Sequence, residues 1–172
     1  MTDTSLAVRR PRDVVAVVGP DARTYLQGQL SQDVEALEVG GSAETFLLQP
    51  AGKVDAWMRV SRLADDHFLL DVEEGFGPQV VARLTRFLLR TDCTVQEVQW
   101  DLLTVIDAEA SAFSPPVGGL ALAVEWPGLV AVDLLGPSVE LPAGLAEGSS
   151  RDWEARRIAA GIPAMGSEMD ST

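Results

Sequence analysis

Thr45-Phe46-Leu47-Leu48-Gln49-Pro50-Ala51-Gly52-Lys53-Val54-Asp55-Ala56-Trp57-Met58-Arg59-Val60-Ser61 reads as two strands folded about a turn. Thr45 to Gln49 is the first strand, and Pro50-Ala51-Gly52-Lys53 holds the residues that start and close a tight turn. From Val54 to Leu63 the pattern has period two: Val54, Ala56, Met58 and Val60 share one face, and Asp55, Arg59 and Ser61 the other. That alternation predicts a half-buried hairpin strand. An antiparallel hairpin at the centre argues for a sheet built largely of antiparallel strands.

Working outward, Val14 to Val18 is a short β-branched run stopped by Gly19-Pro20-Asp21, and Ala22, Tyr25, Leu26 and Leu30 then recur at helical spacing. Beyond the hairpin, Asp65-Asp66 makes a turn and His67 to Val72 a strand. Gly75-Phe76-Gly77-Pro78 leads into a helix carrying Val80, Val81, Leu84 and Leu88 on one face, with Arg83, Arg86 and Arg90 mostly on its other sides. Thr94 to Val98 is again a strand. The order β-α-β-β-β-α-β predicts an α+β fold, mainly antiparallel sheets with helices on one face.

Trp100 opens a second module. Leu102 to Ile106, Leu120 to Glu125 and Leu129 to Asp133 read as strands, and Trp153 to Ala160 as a helix ended by Gly161 and Pro163. The expected division is residues 1–99 and 100–172, the second module being incomplete at its C-terminus.

Hydrophobic residues make up 47% of the 172 positions, enough to bury a core without staples. A net charge of −13 disfavours direct nucleic-acid binding and association with anionic membranes. Twelve of the thirteen basic residues are arginines, whose fork suits carboxylates; codon bias explains them as well. No apolar run is long enough to span a membrane, and the start of the chain does not read as a signal peptide. The single cysteine, Cys93, excludes an internal disulfide and a multi-cysteine metal site. These features fit a reducing cytoplasm.

Residue types alone nominate no catalytic group. His67, at a strand start, reads as a solvated turn residue, and Cys93 as a small apolar side chain. The pairs Asp65-Asp66 and Glu73-Glu74 read as solvated strand ends. No dinucleotide or phosphate-loop glycine pattern occurs.

Several segments together resemble a known family. Gly19-Pro20-Asp21-Ala22 with Tyr25-Leu26-Gln27-Gly28-Gln29-Leu30-Ser31-Gln32-Asp33-Val34 resembles the first β-α unit of the YgfZ-type folate-binding proteins. These are paralogues of the glycine-cleavage T-protein, an aminomethyltransferase. Leu47 to Val54 is similar to the family's L-x-P-x-G-K-V hairpin, and Leu84 to Arg90 to its R-F-x-L-R segment. Arg157-Ile158, Gly161-Ile162-Pro163 and Met165-Gly166-Ser167-Glu168 resemble R-x-x-x-G-x-P-x-x-G-x-E. The likeness runs from about residue 13 to 170.

The resemblance implies a T-protein-like folate-binding fold and tetrahydrofolate, or another folate, as ligand. It places Glu168 as carboxylate for the pterin ring and Gln49, Val54, Ala56 and Met58 on a second wall. For Glu168 a helix-exit acid, and for the wall residues plain core strand, are the competing readings. T-proteins carry an Asp-Asp pair just after this hairpin turn, where Ala56 and Trp57 stand here. Asp55 lies one residue early, and regular alternation would point it to the opposite face. The resemblance thus favours the YgfZ-type role: a folate-binding accessory to iron–sulfur cluster proteins, acting indirectly on tRNA modification. The alternative is an aminomethyltransferase-like one-carbon transferase. The family's K-G-C-[YF]-x-G-Q-E segment is absent, so the chain is expected to be the N-terminal portion of such a protein.

Overall fold

The computed structural model describes residues 5–169. In chain order its first strands and helices are β1 (Leu6–Arg10), β2 (Arg12–Val18), α1 (Ala22–Gln27), β3 (Ser42–Leu48), β4 (Val54–Ala64), β5 (His67–Glu73), α2 (Gly77–Thr85) and β6 (Thr94–Val98). From β2 to β6 this is the expected order, because each segment's pattern is local. β1 was not anticipated. It is separated from β2 by Pro11 alone, which has no N–H to give a ladder.

Strands β2 to β6 form one antiparallel sheet in the order β3-β4-β5-β2-β6. Helices α1 and α2 lie on one face of it. Tyr25, Leu26, Val80 and Leu84 pack there with Val15, Val17, Ala56, Met58, Val60, Phe68, Leu70 and Val72 in a continuous core. Gly19 ends β2 at φ +144°, where a Cβ would sit 2.4 Å from the Asp92 carbonyl oxygen. Only glycine fits that crossing.

The remaining elements are β7 (Asp101–Ile106), a 3-10 turn (Ala110–Ala112), β8 (Leu120–Ala123), β9 (Ala131–Gly136), β10 (Ala146–Glu147) and α3 (Ser150–Ala160). The second sheet runs β10-β1-β7-β9-β8, antiparallel except for the β1–β10 pair. Trp153 of α3 packs with Val8, Ile106, Leu129 and Ala131. The fold is α+β. Among the described residues no helix is long and apolar enough to cross a membrane.

The division into 1–99 and 100–172 is corrected at both ends. Among the described residues, one compact unit joins 5–11 with Trp100–Pro163, and the other joins Arg12–Gln99 with 164–169. Ladder pairing decides the first exchange, because β1 is registered along its whole length against β7. The second follows from packing: Gly166 lies against the Phe76 ring, and Ala164 and Met165 are buried.

The polar face of β4 also departs from expectation. Arg59 and Ser61 are buried, as are Val14, Ala16, Leu69 and Asp71. Arg59 Nε donates to Asp71 Oδ2 at 2.9 Å, and Arg12 reaches both Asp71 (3.0 Å) and Glu73 (2.7 Å). Charge alternation on β4 therefore marks a buried ionic network and not a wet face.

Candidate functional site

The β3–β4 hairpin and helix α2 bring together the densest set of polar side chains around the predicted wall. The turn is closed by two main-chain bonds, Gln49 N–H to Lys53 C=O and Gly52 N–H to Gln49 C=O, both 2.8 Å. Gly52 takes φ +83°, which the turn requires. Beyond it the ladder does not run straight. Leu47 pairs with Ala56 but Leu48 pairs with Val54, so Asp55 is an extra, unpaired residue. It is a β-bulge.

A bulge breaks the period-two alternation and re-aims the side chain it carries. The Asp55 carboxylate accordingly faces helix α2, whose Val80 and Leu84 pack with Ala56. Its Oδ1 accepts a hydrogen bond from Gln49 Nε2 at 2.8 Å, and its Oδ2 lies 3.4 Å from Arg83 Nε. Gln79 Nε2 donates to the Asp55 main-chain oxygen at 2.7 Å. The expectation that Asp55 points to the face opposite Ala56 is corrected, because its premise was an unbroken strand. The side chain is 14% exposed. An ionised carboxylate has about four acceptor sites, so these contacts leave capacity for a further donor.

Arg83 sits one turn after Gln79 and one before Phe87. The guanidinium lies 4.1 Å from the Phe87 ring centroid, and Nη2 donates to the Leu48 carbonyl at 3.2 Å. The i, i+4 spacing of Gln79 and Arg83 on α2, with Phe87 in the turn just past its end, was visible in the sequence. What it faces was not, since nothing local marks the bulge.

The nominated residues separate by burial. Gln49 is half-buried and bonded to Asp55. Val54 is half-buried at the bulge, opposite Leu48. Ala56 and Met58 lie in the helix-covered core with no appreciable surface left for a ligand. Glu168 is on the surface of the turn that follows Ala164, where its Oε2 accepts the Ala164 N–H at 2.9 Å. The segment Arg157 to Pro163 has a structural role as well. Arg157 is buried, donates twice to Glu154 and once to the Ile162 carbonyl, and Gly161 caps α3 at φ +73°.

Cys93 packs against the core, and burial, with Asp21 and Asp92 nearby, pushes its thiol pKa up. That is the opposite of what activates a cysteine nucleophile. Tyr25 is pushed up to about 12, first by burial. Its hydroxyl donates to the Leu84 carbonyl at 2.6 Å.

Comparison with solved structures settles the architecture. The crystal structure of the glycine cleavage system aminomethyltransferase T from Bartonella henselae superposes with a TM-score of 0.77, over 98% of this chain and 54% of that one, at 19% identity. The fold is that of aminomethyltransferase T. In sequence, a Haemophilus influenzae protein of uncharacterised function is 27% identical over 150 residues, 87% of this chain and 51% of that protein. An aminomethyltransferase of Lysinibacillus sphaericus is 40% identical over 58 residues, 34% of this chain and 16% of that enzyme. No protein-family model matches. The chain thus spans about half the length of the Haemophilus protein and of the Bartonella T-protein.

Proposed function

We propose that this chain forms part of a tetrahydrofolate-binding protein that handles one-carbon units as aminomethyltransferases do. The T-protein fold supports this reading, as does the 40% identity over 58 residues to a protein named aminomethyltransferase. The observation that carries it to particular residues is the bulge. The sequence had set Asp55 aside as pointing the wrong way, and the break in register restores a carboxylate to the side of Ala56.

The groups present suit a reduced folate. A pterin offers N–H and amino donors, which a carboxylate accepts, and Asp55 and Glu168 are the candidates; Gln49 adds an amide that both donates and accepts. Bound tetrahydrofolate would supply the nitrogens that carry the one-carbon unit. Asp55 would hold or exchange a proton beside it, and Gln49 would orient Asp55.

Equilibrium binding of tetrahydrofolate to the 172-residue chain tests the reading. We expect saturable binding that Asp55→Asn weakens about tenfold, the loss of one charge-assisted contact, and that Glu168→Ala also weakens. No saturable binding, or affinity indifferent to both changes, would count against it.

A second reading, a folate-binding accessory for iron–sulfur proteins of the YgfZ type with an indirect effect on tRNA modification, rests on Ala56 and Trp57 standing where T-proteins carry paired carboxylates. Under it the chain would act in the cytoplasm beside an iron–sulfur client. Folate binding without aminomethyl transfer, together with loss of iron–sulfur enzyme activity when the gene is deleted, would select it.

A further inference from the structure

From helix α2, Gln79 and Arg83 make polar contacts with the hairpin, and Arg83 touches both of its legs. From one guanidinium, Arg83 reaches Leu48 on β3 through Nη2 (3.2 Å) and Asp55 on β4 through Nε (3.4 Å). The two contacts straddle the bulge. Its Nη1 is enclosed with no hydrogen-bond partner. Burying a donor without an acceptor carries a cost. The Phe87 ring beneath the guanidinium restricts its plane, so the fork is aimed and not free to wander.

A bulged residue is released from the ladder, and its side-chain direction must be set by something else. Here Gln49 belongs to the same turn and moves with it. Gln79 holds only the Asp55 main chain. Arg83 is the contact that fixes the carboxylate from an independent rigid element.

We infer that Arg83 is a positioning residue that ties both legs of the hairpin to α2 and so keeps the Asp55 carboxylate aimed at the helix side. The inference rests on the reading of Asp55 as a site carboxylate for its functional meaning, but not for its physical content. Arg83 need not touch a ligand to act.

The test has two arms on the 172-residue chain. Without ligand, amide hydrogen exchange is compared between the wild type and Arg83→Gln. We expect exchange at Gln49 and Gly52 to quicken about tenfold, the effect of losing one coupled contact, with the β2–β5 ladder unchanged. Unchanged hairpin exchange overturns the inference whatever folate does. With 5-formyltetrahydrofolate as probe, dissociation constants are measured for Arg83→Gln, Asp55→Asn and the double variant. If Arg83 acts through Asp55, Arg83→Gln weakens binding about five- to tenfold alone and adds nothing in the Asp55→Asn background. Equal losses in both backgrounds overturn it, since Arg83 would then act directly or through stability. Arg83→Lys, which keeps the charge but loses the second donor arm, should fall between Arg83→Gln and the wild type. Quickened exchange in a chain that binds no folate would leave the latch standing and remove the folate reading instead.

Discussion

Asp55 shows how much one residue's environment can change its reading. In the sequence it is an acid one position out of register with the T-protein carboxylates. In the structure it is the extra residue of a bulge, bonded to Gln49 and facing Arg83. Cys93 is the contrary case, where the sequence reading as a small apolar side chain agrees with its packing. Its raised pKa leaves less thiolate at any given pH than an ordinary thiol has. Alkylation by iodoacetamide at pH 7.5, followed by mass spectrometry, should therefore be slower than for free cysteine, with the rate still climbing beyond the usual thiol range. A rate equal to or above that of free cysteine would show that the thiol is activated after all.

Among the elements, α3 carries the clearest built-in pH dependence. The Asp152 carboxylate accepts both the Ser149 N–H and the Ser149 hydroxyl at 2.7 Å, forming the helix's N-terminal box. Those bonds favour the charged form and lower its pKa. A carboxyl whose folded pKa lies below its unfolded value contributes stability that is complete above the unfolded value, near about pH 4. The contribution fades as pH falls through the folded value. Amide protection factors in 150–160, taken relative to the intrinsic exchange rate at each pH, should accordingly fall on acidification below about pH 4, and Asp152→Asn should abolish that acid dependence locally. Ser149→Ala, which removes the hydroxyl that donates to Asp152, should lower the urea midpoint at neutral pH. The hairpin illustrates the limits of reading elements. Its strands and turn were legible because alternation and the Pro-Ala-Gly-Lys turn are local signals, whereas the bulge depends on which residue of β3 meets which of β4.

At the scale of the whole molecule, the alternation along the chain of segments from the two units and the burial of charge are the main departures from what the sequence suggests. Asp71 is bonded by Arg12 and Arg59 together, inside a sheet buried on both faces over its centre. Removing the carboxylate takes an ion-pair partner from the buried Arg59 and from Arg12, which keeps Glu73, and breaking a buried pair typically costs about 3–5 kcal/mol. Asp71→Ala should lower the urea midpoint accordingly, while Asp65→Ala, which removes an exposed carboxylate from an Arg62 that keeps the Leu37 carbonyl, should change stability by less than about 1 kcal/mol. Equal effects would mean that the buried network adds nothing beyond surface pairing.

By itself the sequence determined the type and order of elements from β2 to β6, the α+β class and the apolar faces of α1 and α2. These follow from periodicity and turn chemistry, which act over a few residues. Only the tertiary structure decided that β1 belongs with β7, that the tail after Ala164 returns to the first sheet, and that Arg59 is buried on Asp71. It alone decided that Asp55 faces Arg83. Each of these depends on strand register or on packing between residues far apart in the chain, and a one-residue slip in that register changes which side chains meet without altering the local pattern.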